Sequence, residues 1–134
     1  MALLVCAAAC GDPEFIVPDV LHVLTISPPH GSVAISSNVE PVVYFSHAVA
    51  SAGDAASHIS LGDLGAPPCS LAAIRTPVSV TVAFEAGQVA HLVTAAPLAT
   101  DTCFSVDVGS GILAEADDVS PHPVDVKSLF QTGP

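Results

Sequence analysis

Between positions 78 and 84 apolar and polar residues alternate: Val78, Val80, Val82 and Phe84 share one parity, with Ser79, Thr81 and Ala83 on the other. Successive strand side chains point to opposite faces, so this run predicts a strand with one buried face. The stretch Val39-Glu40-Pro41-Val42-Val43-Tyr44-Phe45-Ser46 repeats the design, with Val39, Pro41, Val43 and Phe45 inward and Tyr44 outward. Proline cannot donate to a ladder, so Pro41 marks an edge or an initial position. Positions 102–108 alternate again, with Phe104, Val106 and Val108 inside and Ser105 and Asp107 outside. Further strands are predicted at 20–26, 33–35, 58–61, 69–74, 88–94 and 124–130. Ser27-Pro28-Pro29-His30-Gly31, Gly62-Asp63 and Glu85-Ala86-Gly87 supply the turn chemistry between them. Residues 55–57 could close one helical turn, and 109–123 read as a long polar connection. Short strands at this spacing, with no helical period and no internal repeat, predict an all-β antiparallel sandwich of about seven to nine strands. Phe45, Phe84, Phe104 and Phe130 are expected to meet on its inner face.

Composition sharpens this picture. The 134 residues suit one domain plus a short leader, and their 51% hydrophobic content is mostly small or β-branched, with only 4% aromatic. Arg75 and Lys127 face 13 acidic residues, for a net charge of −11. Polyanions are repelled by such a surface, which excludes nucleic acid as a partner and leaves an unknown protein or cell-surface partner. Anionic lipid head groups are excluded for the same reason, so membrane association is expected only through a covalent anchor.

The N-terminus suggests that anchor. Residues 1–9 are apolar and end in Ala7-Ala8-Ala9, followed by Cys10, Gly11 and Asp12, the pattern of a bacterial lipoprotein signal with Cys10 as the acylated residue. A plainly cleaved leader and an ordinary apolar strand are the competing readings. Residues 1–19 are therefore taken as signal remnant and tether, and 20–133 as the domain. The expected location is the cell envelope, lipid-anchored, or the exterior if the leader is simply cleaved. If Cys6 leaves and Cys10 is acylated, Cys69 and Cys103 are the cysteines that remain, and an oxidising compartment closes them into a disulfide. Cys103 has the opposite parity to Phe104, so the bond should tie neighbouring segments on the outer face of one sheet rather than cross the core.

Four local patterns then fall in a consistent order. They are Ser27-Pro28-Pro29-His30-Gly31; Asn38 to Val49 with Phe45-Ser46; Ala96-Pro97-Leu98 leading to Asp101-Thr102 and Phe104-x-Val106-x-Val108; and Phe130-Gln131-Thr132-Gly133. Together they make the chain resemble the bacterial Ig-like domain of the SbsA (S-layer protein) type over most of its length. The resemblance implies an Ig-like sandwich from cell-surface or secreted proteins, acting as a non-enzymatic spacer, adhesive or supporting unit.

Residue chemistry adds little to that. There is no Gly-x-Ser-x-Gly elbow and no glycine-rich loop followed by Lys-Ser or Lys-Thr, so neither nucleophilic catalysis nor phosphate cradling is predicted. The six histidines show no His-x-x-x-His pairing and no Cys-x-x-Cys accompanies them, so no transition-metal site or other cofactor is expected. Glu115, Asp117 and Asp118, with Asp101 as a possible fourth, are the best calcium cluster, read as a solvated loop. Binding of a ligand or Ca2+ at the loop ends is the alternative function. A sugar-stacking platform has only Tyr44 to build on, since tryptophan is absent.

Overall fold

The structure is a computed structural model that describes residues 19–134; the proposed lipidation site Cys10 lies outside them. Among the described residues, eleven strands and one short helix follow in chain order: β1 (Asp19–Val20), β2 (Val23–Ser27), β3 (Ser32–Ile35), β4 (Val42–Phe45), α1 (Ala52–Ala56), β5 (Ile59–Gly65), β6 (Thr76–Val78), β7 (Val80–Glu85), β8 (Val89–Thr94), β9 (Cys103–Val108), β10 (Val119–Ser120) and β11 (Val126–Thr132). A four-stranded sheet, β2-β4-β8-β7, faces a five-stranded sheet, β3-β11-β9-β5-β6, while β1 and β10 form a small parallel pair at the margin. This is the expected all-β sandwich. No helix among the described residues is long and apolar enough to cross a membrane.

The alternating parities supply the core. Val43, Phe45, Ala90 and Leu92 from one sheet meet Ile59, Leu61, Phe104, Val106, Val108 and Phe130 from the other. Each sheet contributes a ring pair: Phe45 stacks with Phe84 at 6.2 Å and Phe104 with Phe130 at 5.6 Å between centroids. The stretch around Phe45 behaves as read, with Pro41, Val43 and Phe45 buried and Tyr44 exposed. Pro41 takes the initial position: β4 is flanked on both sides by β2 and β8, and Leu92 N–H donates to the Pro41 carbonyl.

Several boundaries differ from the sequence reading. The run 78–84 is two strands, because Ser79 carries the chain from β6 in one sheet to β7 in the other while the parity continues unbroken. Residues 20–26 divide likewise, β1 pairing with β10 and β2 with β4. Gly62 and Asp63 do not stop a strand but lie inside β5. The Arg75 side chain crosses Gly62 where a Cβ would stand, so this glycine serves a close approach rather than a turn. Residues 69–74 form no strand: Ala73 N–H donates to the Ser70 carbonyl and Ala72 N–H to the Ser70 hydroxyl, closing a turn instead. The helical turn is real but starts earlier, capped by Ser51, whose hydroxyl accepts from Asp54 N–H. Between β9 and β11 the connection is not simply polar, since it buries Ile112, Val119 and His122 and bridges Ala114 to Val49.

Cys69 and Cys103 form the expected disulfide, with Cα atoms 5.5 Å apart. Phe104 points inward, so Cys103 projects from the outer face of the five-stranded sheet, where the segment after β5 covers it completely. The bond stays within one layer, and its closure fits an oxidising compartment. Removing it in Cys69→Ala/Cys103→Ala should lower the unfolding free energy by roughly 3–4 kcal/mol, from loop closure over the 34-residue separation. Urea titration of the double variant, and of the wild type with and without reductant, measures this; a loss under ~1 kcal/mol would contradict the loop-closure account.

Candidate functional site

Polar side chains converge most closely on the outer face of the five-stranded sheet. Ser60 of β5, Asp107 of β9 and Lys127 of β11 stand opposite one another across three strands. Arg75, delivered by the disulfide-tied segment before β6, reaches over Gly62 into the same row. Its Nη2 donates to Ser60 Oγ at 2.8 Å and its Nε to Ser105 Oγ at 3.4 Å. Nε also lies 3.2 Å from Asp107 Oδ2, and Lys127 Nζ donates to that same oxygen at 3.0 Å. Arg75 and Lys127, the chain's two basic residues, thus share one carboxylate. Asp107 Oδ1 is buried and has no protein partner.

An open cleft of about 310 Å3 adjoins this cluster, lined by Ser57, His58, Ser60, Asp107, Asp125 and Lys127 among others. Asp125 is already engaged, accepting from Ser110 N–H at 2.9 Å. The cleft offers hydroxyls, an imidazole and carboxylates, but its lysine is held by Asp107.

The second convergence lies on the outer face of the four-stranded sheet. His91 of β8 has Glu40 Oε1 2.8 Å from Nδ1 and Glu85 Oε1 3.0 Å from Nε2. Both ring nitrogens therefore face carboxylates, an arrangement only the doubly protonated ring satisfies. The Glu85 bond, then the Glu40 bond, raises the His91 pKa above its ordinary value, against a smaller lowering by desolvation.

A third grouping is Ser46-His47-Asp19: His47 Nδ1 lies 2.8 Å from Ser46 Oγ, and its Nε2 3.5 Å from Asp19 Oδ2. The residue types are those of a hydrolase triad, but the hydroxyl is otherwise occupied. Ser46 Oγ accepts from His22 N–H at 3.0 Å and sits 3.4 Å from the Val20 carbonyl, which ties the first strands to β4. The Asp19 side chain is 71% exposed, so it does not hold the imidazole in place as a buried triad carboxylate does. This is the physical reason for serine after Phe45, and it is a structural one.

The candidate calcium residues are not brought together. Glu115 N–H is tied to the Ala48 carbonyl, and Asp101 N–H to Gly133 near the start of β9. Among the described residues no group of three or more His, Cys, Asp or Glu could hold a metal ion. Tyr44 is exposed as anticipated, with no second aromatic among the exposed large hydrophobic residues described. The Arg75–Asp107–Lys127 cluster and the His91 clamp were missed, because their members are far apart in sequence and joined only by strand pairing.

Comparison with known proteins gives the fold and no closer relationship. No protein-family model and no curated protein matches the sequence. Among solved structures, the chain is similar to PcoC, a methionine-rich copper resistance protein from Escherichia coli. The identity is 17% and the TM-score 0.60, over 83% of this chain and 96% of that one. It is also similar to the N-terminal part of the bacterial S-layer protein SbsC, at 17% identity and a TM-score of 0.53 over 98% of this chain and 28% of that one. The S-layer-type fold is supported.

The His91 clamp has a measurable signature. A group whose folded pKa is raised contributes stability that is full below its unfolded pKa, about 6.5 for histidine, and lost as pH rises through the folded value. The His91 ring resonances should therefore titrate above about 6.5 by NMR and move back towards it in Glu40→Gln/Glu85→Gln. A wild-type midpoint at or below the ordinary value would contradict the clamp.

Proposed function

We propose that the chain is a non-enzymatic cell-envelope module with a structural or protein-interaction role, acting as spacer or adhesive unit and tethered by a lipid on Cys10. The observation that carries this reading is the direction of its polar chemistry. Arg75, Lys127, Ser60, Ser105 and Ser46 are engaged with other parts of the fold, and Cys69 and Cys103 are closed on each other. In the cleft, the Ser57 hydroxyl donates to the Asp54 carbonyl and the Ser60 hydroxyl accepts from Arg75, so both serve the fold. A closed disulfide supports placement outside the cytoplasm.

The second reading, a ligand- or cation-binding module, is favoured by one observation: Asp107 Oδ1 stands without a partner beside the cleft. The copper resistance neighbour points in the same direction. Methionine-rich copper chemistry has no counterpart here, because Met1 is the single methionine of the chain.

Two experiments separate the readings. Expressed with a complete signal in a bacterial host, the protein should partition into detergent, and Cys10→Ser should release it to the aqueous phase. A water-soluble wild type with an unmodified N-terminus would remove the anchor. Millimolar calcium should raise the melting temperature no more than a monovalent salt of equal ionic strength, which screens the net charge of −11. A calcium-specific rise lost in Asp117→Asn or Asp118→Asn would establish cation binding instead.

A further inference from the structure

Four polar residues are buried among those described: Ser105, His122, Ser128 and Thr132. Three of them are bonded within the fold. Ser105 Oγ accepts from Arg75, His122 Nδ1 donates to the Gly109 carbonyl at 2.9 Å, and Thr132 Oγ1 donates to the Ala99 carbonyl at 2.6 Å. Ser128 Oγ has no partner. It stands on the inner side of β11, opposite Val106 and two residues before Phe130, and is 4% exposed. A hydroxyl buried without a hydrogen bond lowers stability, and alanine in its place would not. The fold alone therefore gives no reason for serine here.

Ser128 borders a cleft in the side of the sandwich. β3 pairs with β11 at Phe130 and Thr132, which leaves Val126 to Ser128 without a neighbouring strand on that side. β2 is an edge of the facing sheet. Between β2 and β11 the cleft encloses about 280 Å3. Its apolar lining includes Val23, Leu24, Ile26 and Val126, and its polar lining includes Ser128 and His30. Leu129 N–H donates to His30 Nδ1 at 3.0 Å, which places the proton of the neutral ring on Nε2. The cleft thus combines an apolar surface with two hydrogen-bond donors, one hydroxyl and one ring N–H.

We propose that this cleft binds a small neutral carbonyl compound, an amide, ester or ketone carrying a short apolar group, whose oxygen accepts from Ser128 and His30. The proposal goes beyond the envelope-module reading and does not depend on a lipid at Cys10. Each part of the ligand class follows from the lining. Two donors call for an accepting oxygen, and the valine, leucine and isoleucine side chains call for an apolar body. Charge is excluded on both sides. A carboxylate would enter the field of a chain of net charge −11, and both basic residues, Arg75 and Lys127, are already paired with Asp107. An ammonium group has nothing to offer two donors. The volume stands at the small end of ligand pockets, which run from roughly 300 to 1,000 Å3, so the body is short.

The test uses the full chain with Cys6→Ser and Cys10→Ser, so that neither an acyl chain nor a stray thiol interferes. The probe is 3-methylbutanamide, titrated against the amide resonances of the protein. It should shift residues 23–26 and 126–130 saturably, with a Kd of about 1–10 mM for so small a molecule. 3-Methylbutanoate, of the same shape but charged, should bind at least about ten-fold more weakly. Ser128→Ala decides the matter through two opposed readouts. It should weaken amide binding about ten-fold, yet raise the Tm of the free protein, because it removes a hydroxyl that the fold leaves unpaired. Shifts that never saturate, or that spread over the whole surface, would overturn the proposal. So would equal binding of amide and carboxylate, or amide binding indifferent to Ser128→Ala. A Tm lowered by Ser128→Ala would show that the hydroxyl serves the fold, and would overturn it equally. None of these results bears on detergent partition, so failure here is distinguishable from failure of the envelope-module reading.

Discussion

Strand β9 is buried on both faces, and much of the architecture follows from that. Its inner side chains, Phe104, Val106 and Val108, fill the core, while Cys103 and Ser105 on the outer side are sealed almost as completely. An outer sheet face in a sandwich ordinarily meets water. Here the segment after β5 lies across it, fastened by the disulfide and by Arg75 passing over Gly62. Covering a polar face requires partners for what it covers, and Arg75 supplies them to Ser60, Ser105 and Asp107. The placement of two bases among 13 acids is then understandable. Asp107 has a side chain only 17% exposed, and it receives both. An exposed carboxylate gains at most about 1 kcal/mol from pairing, whereas a buried one left unpaired costs several.

The core places a second constraint on the surface. With few aromatic residues available, the sandwich stacks Phe45 on Phe84 and Phe104 on Phe130, and among the described residues Tyr44 is the aromatic side chain left exposed. What the outer surface offers is a sheet face of small and β-branched residues, with Thr81, Ala83 and Val93 beside the His91 clamp.

Parity along single strands was readable from sequence, and it placed Val43, Phe45, Val82, Phe84, Phe104 and Val106 on the correct faces. The disulfide was readable too, as the pair remaining once Cys6 and Cys10 are assigned to the leader and anchor, and the parity of Cys103 against Phe104 put it on the outer face. What parity cannot report is which sheet a strand joins: Val78 and Val80 keep one rhythm while the chain changes layers at Ser79. Gly62 has the composition of a stop, but its role depends on Arg75, which reaches it only through the folded segment. The polar clusters were unreadable for a related reason. His91 meets Glu40 from 51 residues away, and Asp107 meets Arg75 and Lys127 from different strands.

The doubly covered strand is the central claim, and native-state hydrogen exchange tests it most directly. If β9 is sealed on both sides, its amides exchange only through global unfolding, with protection matching the unfolding free energy from denaturant titration. Amides of the short edge strands β3 and β6 should exchange through smaller local openings. Exchange of β9 at the rate of those edges, with the disulfide intact, would contradict the account.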